Sequence, residues 1–265
     1  MSFTLQILGT ASAMPISDKN PSAQVLNVQG RLFLIDCGEG TQQRFRQLHL
    51  SFLRVEAVFI SHIHGDHVFG FLGLFSTMAM YNRREPLHVF GPQALQGIIR
   101  FYKSYFGDGD NYDIEFHEVK VSDLTSVWTS KRVKVSAFPL KHKIECYGYR
   151  FDELLSERQL EKHRAASYAY CSDTMPFAEL TGYVSGVGTL YHEATYPEAF
   201  ADKASKYYHS STCDAALCAQ KAGVGRLLVG HYSSRERDIK VYENECRRIF
   251  ENSFAVNDCD TFEID

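Results

Sequence analysis

The stretch SHIHGDHVFG (61–70) crowds three histidines and an aspartate into six residues, directly behind the apolar run VEAVFI (55–60). A short run of Val, Ile and Phe bounded by polar residues reads as a buried strand, so the cluster falls where a strand ends. In an extended segment His62 and His64 point to one side. If a helix begins near Asp66, its first turn carries Asp66 and His67 towards a second position. Imidazole and carboxylate at such spacing suit a metal ion. A chain gains little from this crowding unless something binds it.

Other strand candidates end in the same kind of residue. VKVSAFPL (133–140) is followed by Lys141 and His142, and SYAYCS (167–172) by Asp173 and Thr174. GTLY (188–191) leads into His192 and Glu193, and RLLVG (226–230) into His231. In α/β folds the loops at one end of a sheet assemble the site. His142 is then a candidate to complete a metal position with His62 and His64, His231 one with Asp66 and His67, and Asp173 a bridging carboxylate. This donor set suits zinc, with manganese or iron as alternatives. No cysteine joins it, so it is not a closed thiolate site. His49, His88, His117 and His163 lack such surroundings and read as ordinary structural histidines.

Between these strands lie helix-like runs at 40–50, 67–81, 92–106, 211–223 and 237–252. Of these, 211–223 has Ser211 or Thr212 as cap and Gly223 as stop. The polar segments at 106–113 and 152–167 read as surface excursions. Without a repeat or a Pro/Ser-rich linker, the expected organisation is one α/β domain over residues 1–265, helices packed on sheets.

Seven scattered cysteines, an odd number with no CxxC pair, do not form a secreted disulfide framework, and most are expected to be small buried residues. The N-terminus lacks the basic start and apolar block of a signal peptide, and no run approaches the ~18 apolar residues of a membrane span. A cytoplasmic protein with no membrane partner is expected. Net charge is −4, so any nucleic-acid role must rest on a local basic surface.

At this point the chain resembles a known family. HIHGDH fits the HxHxDH signature of the metallo-β-lactamase fold, an αββα sandwich with a two-metal site. LGTASAMP (8–15), LFLIDCGEGTQQ (32–43), YCSDT (170–174), LYHEATY (190–196), YYHSST (207–212) and LVGHYSSR (228–235) extend the resemblance to ribonuclease Z, which removes 3′ trailers from precursor tRNA. The resemblance implies two zinc ions per chain, one held by His62, His64 and His142, the other by Asp66, His67 and His231, with Asp173 bridging. It implies Asp66 as general base or as the group that orients the bridging hydroxide, and Glu193 and His209 as a hydrogen-bonded pair near the scissile phosphate. His209 would protonate the leaving ribose 3′ oxygen while Glu193 orients it. The products would be a tRNA with a 3′ hydroxyl and a trailer with a 5′ phosphate. A homodimer is implied by resemblance alone.

Two departures stand out. The family's RN near the start is Lys19-Asn20 here, which loses the guanidinium fork. The family's long arm, which grips the tRNA elbow, is reduced to a shortened insert at about 152–167, whose basic residues are Arg158, Lys162, His163 and Arg164. That shortness, with the acidic balance, leaves a second reading: a dinuclear metallohydrolase of the same fold acting on a small phosphodiester or other ester. A non-catalytic RNA-binding subunit would show eroded ligands, and all seven are present.

Overall fold

Runs of β-branched and aromatic residues become strands in the computed structural model, which describes residues 3–107, 111–161, 163–236 and 238–264. The chain divides into two compact units, one of residues up to Lys120 with Asp258–Phe262, the other of Val121–Asn257 with the last residues.

The first unit opens as an antiparallel meander of β1 (Phe3–Gly9), β2 (Ala23–Val28) and β3 (Arg31–Ile35). Gln29 and Gly30, both at positive φ, make the two-residue turn that joins β2 to β3, a geometry matching the strands' twist. From β3 onward the strands run parallel: β4 (Val55–Phe59), β5 (Leu87–Gly91) and β6 (Ile114–Glu118). The crossovers carry α1 (Thr41–Gln47), α2 (Gly65–Val68), α3 (Phe71–Met80) and α4 (Leu95–Tyr105). Their apolar faces bury Phe45, Phe71, Leu74, Phe75, Ile99 and Tyr102 against Leu34, Val58 and Val89 of the sheet.

The run 67–81, expected as one helix, is broken at Gly70. Its N–H donates to the Cys37 carbonyl at 2.8 Å, and a Cβ there would collide with the Gly38 carbonyl. The break lets the segment around Cys37 press against the histidine cluster.

The second unit repeats the plan. β7 (Thr125–Thr129), β8 (Val133–Pro139), β9 (Tyr147–Glu153) and β10 (Ser167–Cys171) are antiparallel neighbours. β11 (Thr189–Glu193), β12 (Arg226–Gly230) and β13 (Ser253–Ala255) continue parallel to β10. Helices α5 (Glu157–Leu160), α6 (Leu180–Tyr183), α7 (Ala201–Tyr207), α8 (Thr212–Ala222) and α9 (Ile239–Arg247) fill the connections. α8 begins at Ser211, whose side chain forms a capping box with Asp214, and ends at Gly223 in the left-handed conformation, as the sequence predicts. Its Ala215, Ala216 and Ala219 pack with Tyr242 and Cys246 of α9 over Leu190, Leu227 and Val229. The last strand, β14 (Thr261–Glu263), adds to the first sheet, whose order is β14-β1-β2-β3-β4-β5-β6.

Between β9 and β10 the described residues form α5 with its flanks. His163 and Arg164 are exposed there; Lys162 and the side chain of Arg158 lie outside the described residues, as do residues 108–110 of the polar segment 106–113 and Arg237 at the start of the last helical run. All seven cysteines are free thiols, and five of them, Cys37, Cys146, Cys171, Cys218 and Cys246, are buried.

Candidate active site

In each unit the predicted residues gather where the parallel strands end. In the first unit β4 stops at Phe59 and delivers Ser61 to His67 through a loop and the single turn of α2. Asp36, just past β3 and wholly buried, organises that loop. Its carboxylate accepts from the Ser61 N–H at 2.8 Å, from the Ser61 hydroxyl at 2.9 Å and from His67 Nδ1 at 2.8 Å. Because the Ser61 proton goes to Asp36, the 3.0 Å contact between Ser61 Oγ and His62 Nδ1 is one in which the imidazole donates. His62 and His67 are thereby fixed with Nε2 as the lone-pair nitrogen, the form a metal takes. His62 Nε2 lies 3.0 Å from His64 Nδ1, and His67 Nε2 lies 3.6 Å from an Asp66 oxygen. Asp66 Oδ2 also accepts from the Ala13 N–H at 2.8 Å. Gly38 permits the approach, since a Cβ there would stand 2.6 Å from the Asp66 carbonyl.

In the second unit Asp173 follows β10, Glu193 ends β11 and His231 follows β12. Asp173 is the hub: its oxygens lie 3.3 Å from His231 Nε2, 3.7 Å from His142 Nε2 and 3.9 Å from His209 Nδ1. His142 donates from Nδ1 to the Tyr208 carbonyl at 3.0 Å, and His231 Nδ1 meets Thr195 Oγ1 at 2.9 Å. Both rings thus turn Nε2 toward Asp173. His231 sits at φ 65° and Tyr208 at φ 61°, conformations that cost energy for residues with a Cβ and concentrate at functional sites.

Glu193 is fully buried and saturated with donors. Oε1 accepts from Thr174 N at 3.1 Å, Ser210 N at 2.9 Å and His209 Nδ1 at 3.0 Å; Oε2 accepts from the N–H and hydroxyl of Thr195, each at 2.8 Å. Burial alone would push its carboxyl up, but the neighbouring His209 and its hydrogen bond outweigh that and hold Glu193 below the usual carboxylate range. His192 points to the opposite face of β11, and its imidazole is held below its ordinary value by burial. The structure therefore gathers His62, His64, Asp66 and His67 in one unit, and His142, Asp173, Glu193, His209 and His231 in the other. Sequence reasoning assigned no role to Asp36 or Thr195. The signal available was position: each lies in a quoted motif at the end of a strand.

The family model described as Anti-Pycsar protein Apyc1 matches residues 3–156. Ribonuclease Z of Porphyromonas gingivalis is 35% identical, with 97% of each chain covered. The short form of human tRNase Z superposes with a TM-score of 0.83 at 25% identity, covering 99% of both chains. The metallo-β-lactamase fold protein YhfI of Bacillus subtilis superposes with a TM-score of 0.79 at 17% identity over 99% of this chain and 100% of its own, a likeness of fold.

Two mixed sheets with helices, carrying histidine and carboxylate at their strand ends, define a metallo-β-lactamase-fold enzyme, a metal-dependent phosphodiester hydrolase of the endoribonuclease kind. The chain belongs to the ribonuclease Z family. The alignment with the P. gingivalis protein runs over 295 positions, against 265 residues here, so that relative carries residues with no counterpart in this chain.

Proposed function

We propose that this chain removes 3′ trailers from precursor tRNA by two-metal phosphodiester hydrolysis, leaving a 3′ hydroxyl on the tRNA, and that its two units act as one domain. His62, His64 and His142 would hold one zinc ion, and Asp66, His67 and His231 the other, with Asp173 shared. The donor chemistry fits. Ligands bonded at 2.0–2.2 Å around a tetrahedral ion stand about 3.3 Å apart, and His62 Nε2–His64 Nδ1 at 3.0 Å and His231 Nε2–Asp173 Oδ1 at 3.3 Å match that spacing. Manganese or iron would also suit these donors. Bound zinc would supply Lewis acidity that neutralises phosphoryl charge and makes a nucleophile accessible near neutral pH.

The single observation that carries the reading is the Glu193–His209 contact of 3.0 Å. Metal ligation alone is common to many hydrolases of this fold. A histidine clamped through Nδ1 by a buried carboxylate has proton exchange left to Nε2, which suits protonation of a poor leaving group such as a ribose 3′ oxygen. Glu193 fixes the tautomer and favours the protonated ring. Asp66 would act as general base beside its ligand role. A homodimer and a cytoplasmic location belong to the same reading; among the described residues no helix is long and apolar enough to cross a membrane.

The second reading, cleavage of a small phosphodiester, is favoured by one observation: the ribonuclease Z relative carries residues this chain lacks, in keeping with a shortened insert at 152–167. One experiment separates the two. Zinc-loaded protein is given precursor tRNA with a 3′ trailer and, separately, a bis-aryl phosphodiester, with His209→Ala as control. A single cut at the end of the acceptor stem, lost in the control, is expected. Turnover of the small diester alone would replace the first reading with the second.

A further inference from the structure

Outside the predicted site, the parallel pairing of β5 with β6 sets His88 beside Glu115 and Phe90 beside His117. The four side chains share one face of the sheet, since each strand alternates. β6 is an edge strand. His88 Nδ1 lies 3.2 Å from His117 Nε2 and 3.2 Å from Glu115 Oε2, and one ligand atom from each of the three residues lies within 4.8 Å of the others. The His117 ring is stacked on Phe90, centroids 4.5 Å apart and 13° from parallel, which fixes where its nitrogen points.

We propose that His88, Glu115 and His117 form a second metal site, a zinc site with two imidazoles and one carboxylate, that clips the edge strand β6 to β5. Two electronegative atoms, His117 Nε2 and Glu115 Oε2, converge on His88 Nδ1, and one ring proton bridges well only one pair of the three. A divalent cation satisfies all three. The two 3.2 Å separations equal, within a tenth or so, the roughly 3.3 Å edge of a tetrahedral zinc site. The side chains are 29% exposed for His88 and 47% for Glu115, so an ion can enter and water can complete the coordination, and the site is exchangeable. Its consequence is structural: β6 is held to the sheet by its ladder to β5, and an ion bridging the two strands adds a bond at the edge that binds the folded state alone.

The test counts zinc. Full-length protein stripped with chelator is dialysed against buffered zinc chloride, and metal per chain is measured by elemental analysis for the wild type, His88→Ala and Glu115→Gln. One zinc fewer per chain in His88→Ala is expected, with roughly tenfold or greater weakening of that same equivalent in Glu115→Gln. Precursor tRNA cleavage should be unchanged in both variants. Asp173→Ala, measured alongside, reports on the predicted catalytic metals, so failure there leaves the difference at His88 intact. Equal zinc content in the wild type and both folded variants would overturn the proposal. Should His88→Ala fail to fold, Glu115→Gln alone decides it: the zinc-induced rise in melting temperature should be smaller in this variant than in the wild type, whereas a purely hydrogen-bonded cluster would leave the rise equal in both.

Discussion

Asp36 and Glu193 are buried carboxylates that do different work. Asp36 accepts hydrogen bonds from a histidine and a serine, and so sets which nitrogens of His62 and His67 carry the lone pair a metal would take. Asp36→Asn keeps the shape but presents an amide NH2 to two donors, so zinc affinity should fall about 10- to 100-fold with the fold intact; a chelator competition, checked by circular dichroism, reads it. Glu193 is held below its ordinary range, so its contribution to stability is full above the unfolded value of about 4.3 and is lost as pH falls through the lower folded value. In metal-stripped protein, the melting-temperature gap between wild type and Glu193→Gln should be widest at neutral pH and narrow in acid. A gap independent of pH would show that the charge is not what matters. The thiols give a third check. Burial pushes Cys218 up to about 12 and raises Cys171 well above its ordinary value, so an aromatic disulfide reagent should modify at most Cys213 and Cys259 in the native protein and all seven cysteines once it is unfolded. At this scale the candidate ligands could be picked out of the sequence because they cluster within a few residues past strand-like runs. Asp36 and Thr195 could not be assigned, because hydrogen bonding to a ring nitrogen leaves no periodic signature.

Elements decide how accurately these residues are held. α8 begins where HSST ends, and its capping box ties Ser211 to Asp214 while Ser210 donates to the Thr174 carbonyl at 2.7 Å. Ser211→Ala should cost about 1 kcal/mol of stability, measurable by urea denaturation, and should lower the turnover of precursor tRNA because His209 lies two residues upstream. Unchanged activity would detach the cap from the site. The apolar strands and the long helices were readable from pattern. β6, β7 and β9 were not: IEFHE and TSVWT carry polar residues on partly exposed strands, and YGYRFDE mixes glycine with charge. β6 is where the omission mattered. His88 and His117 are 29 positions apart, and only strand pairing shows that they meet.

At the scale of the whole molecule, the proposed ligands are divided between two units of like plan, each ending its parallel strands in histidine and carboxylate. Neither cluster alone holds the set that two zinc ions would require, and the proposed function depends on their acting as one centre. The direct test is a double-mutant cycle on precursor tRNA cleavage with His62→Ala from one unit and His142→Ala from the other. If both bind the same ion, either substitution removes it, and the double variant should be no slower than the slower single variant. Losses that multiply would mean that the two clusters contribute independently, and would contradict a shared metal centre.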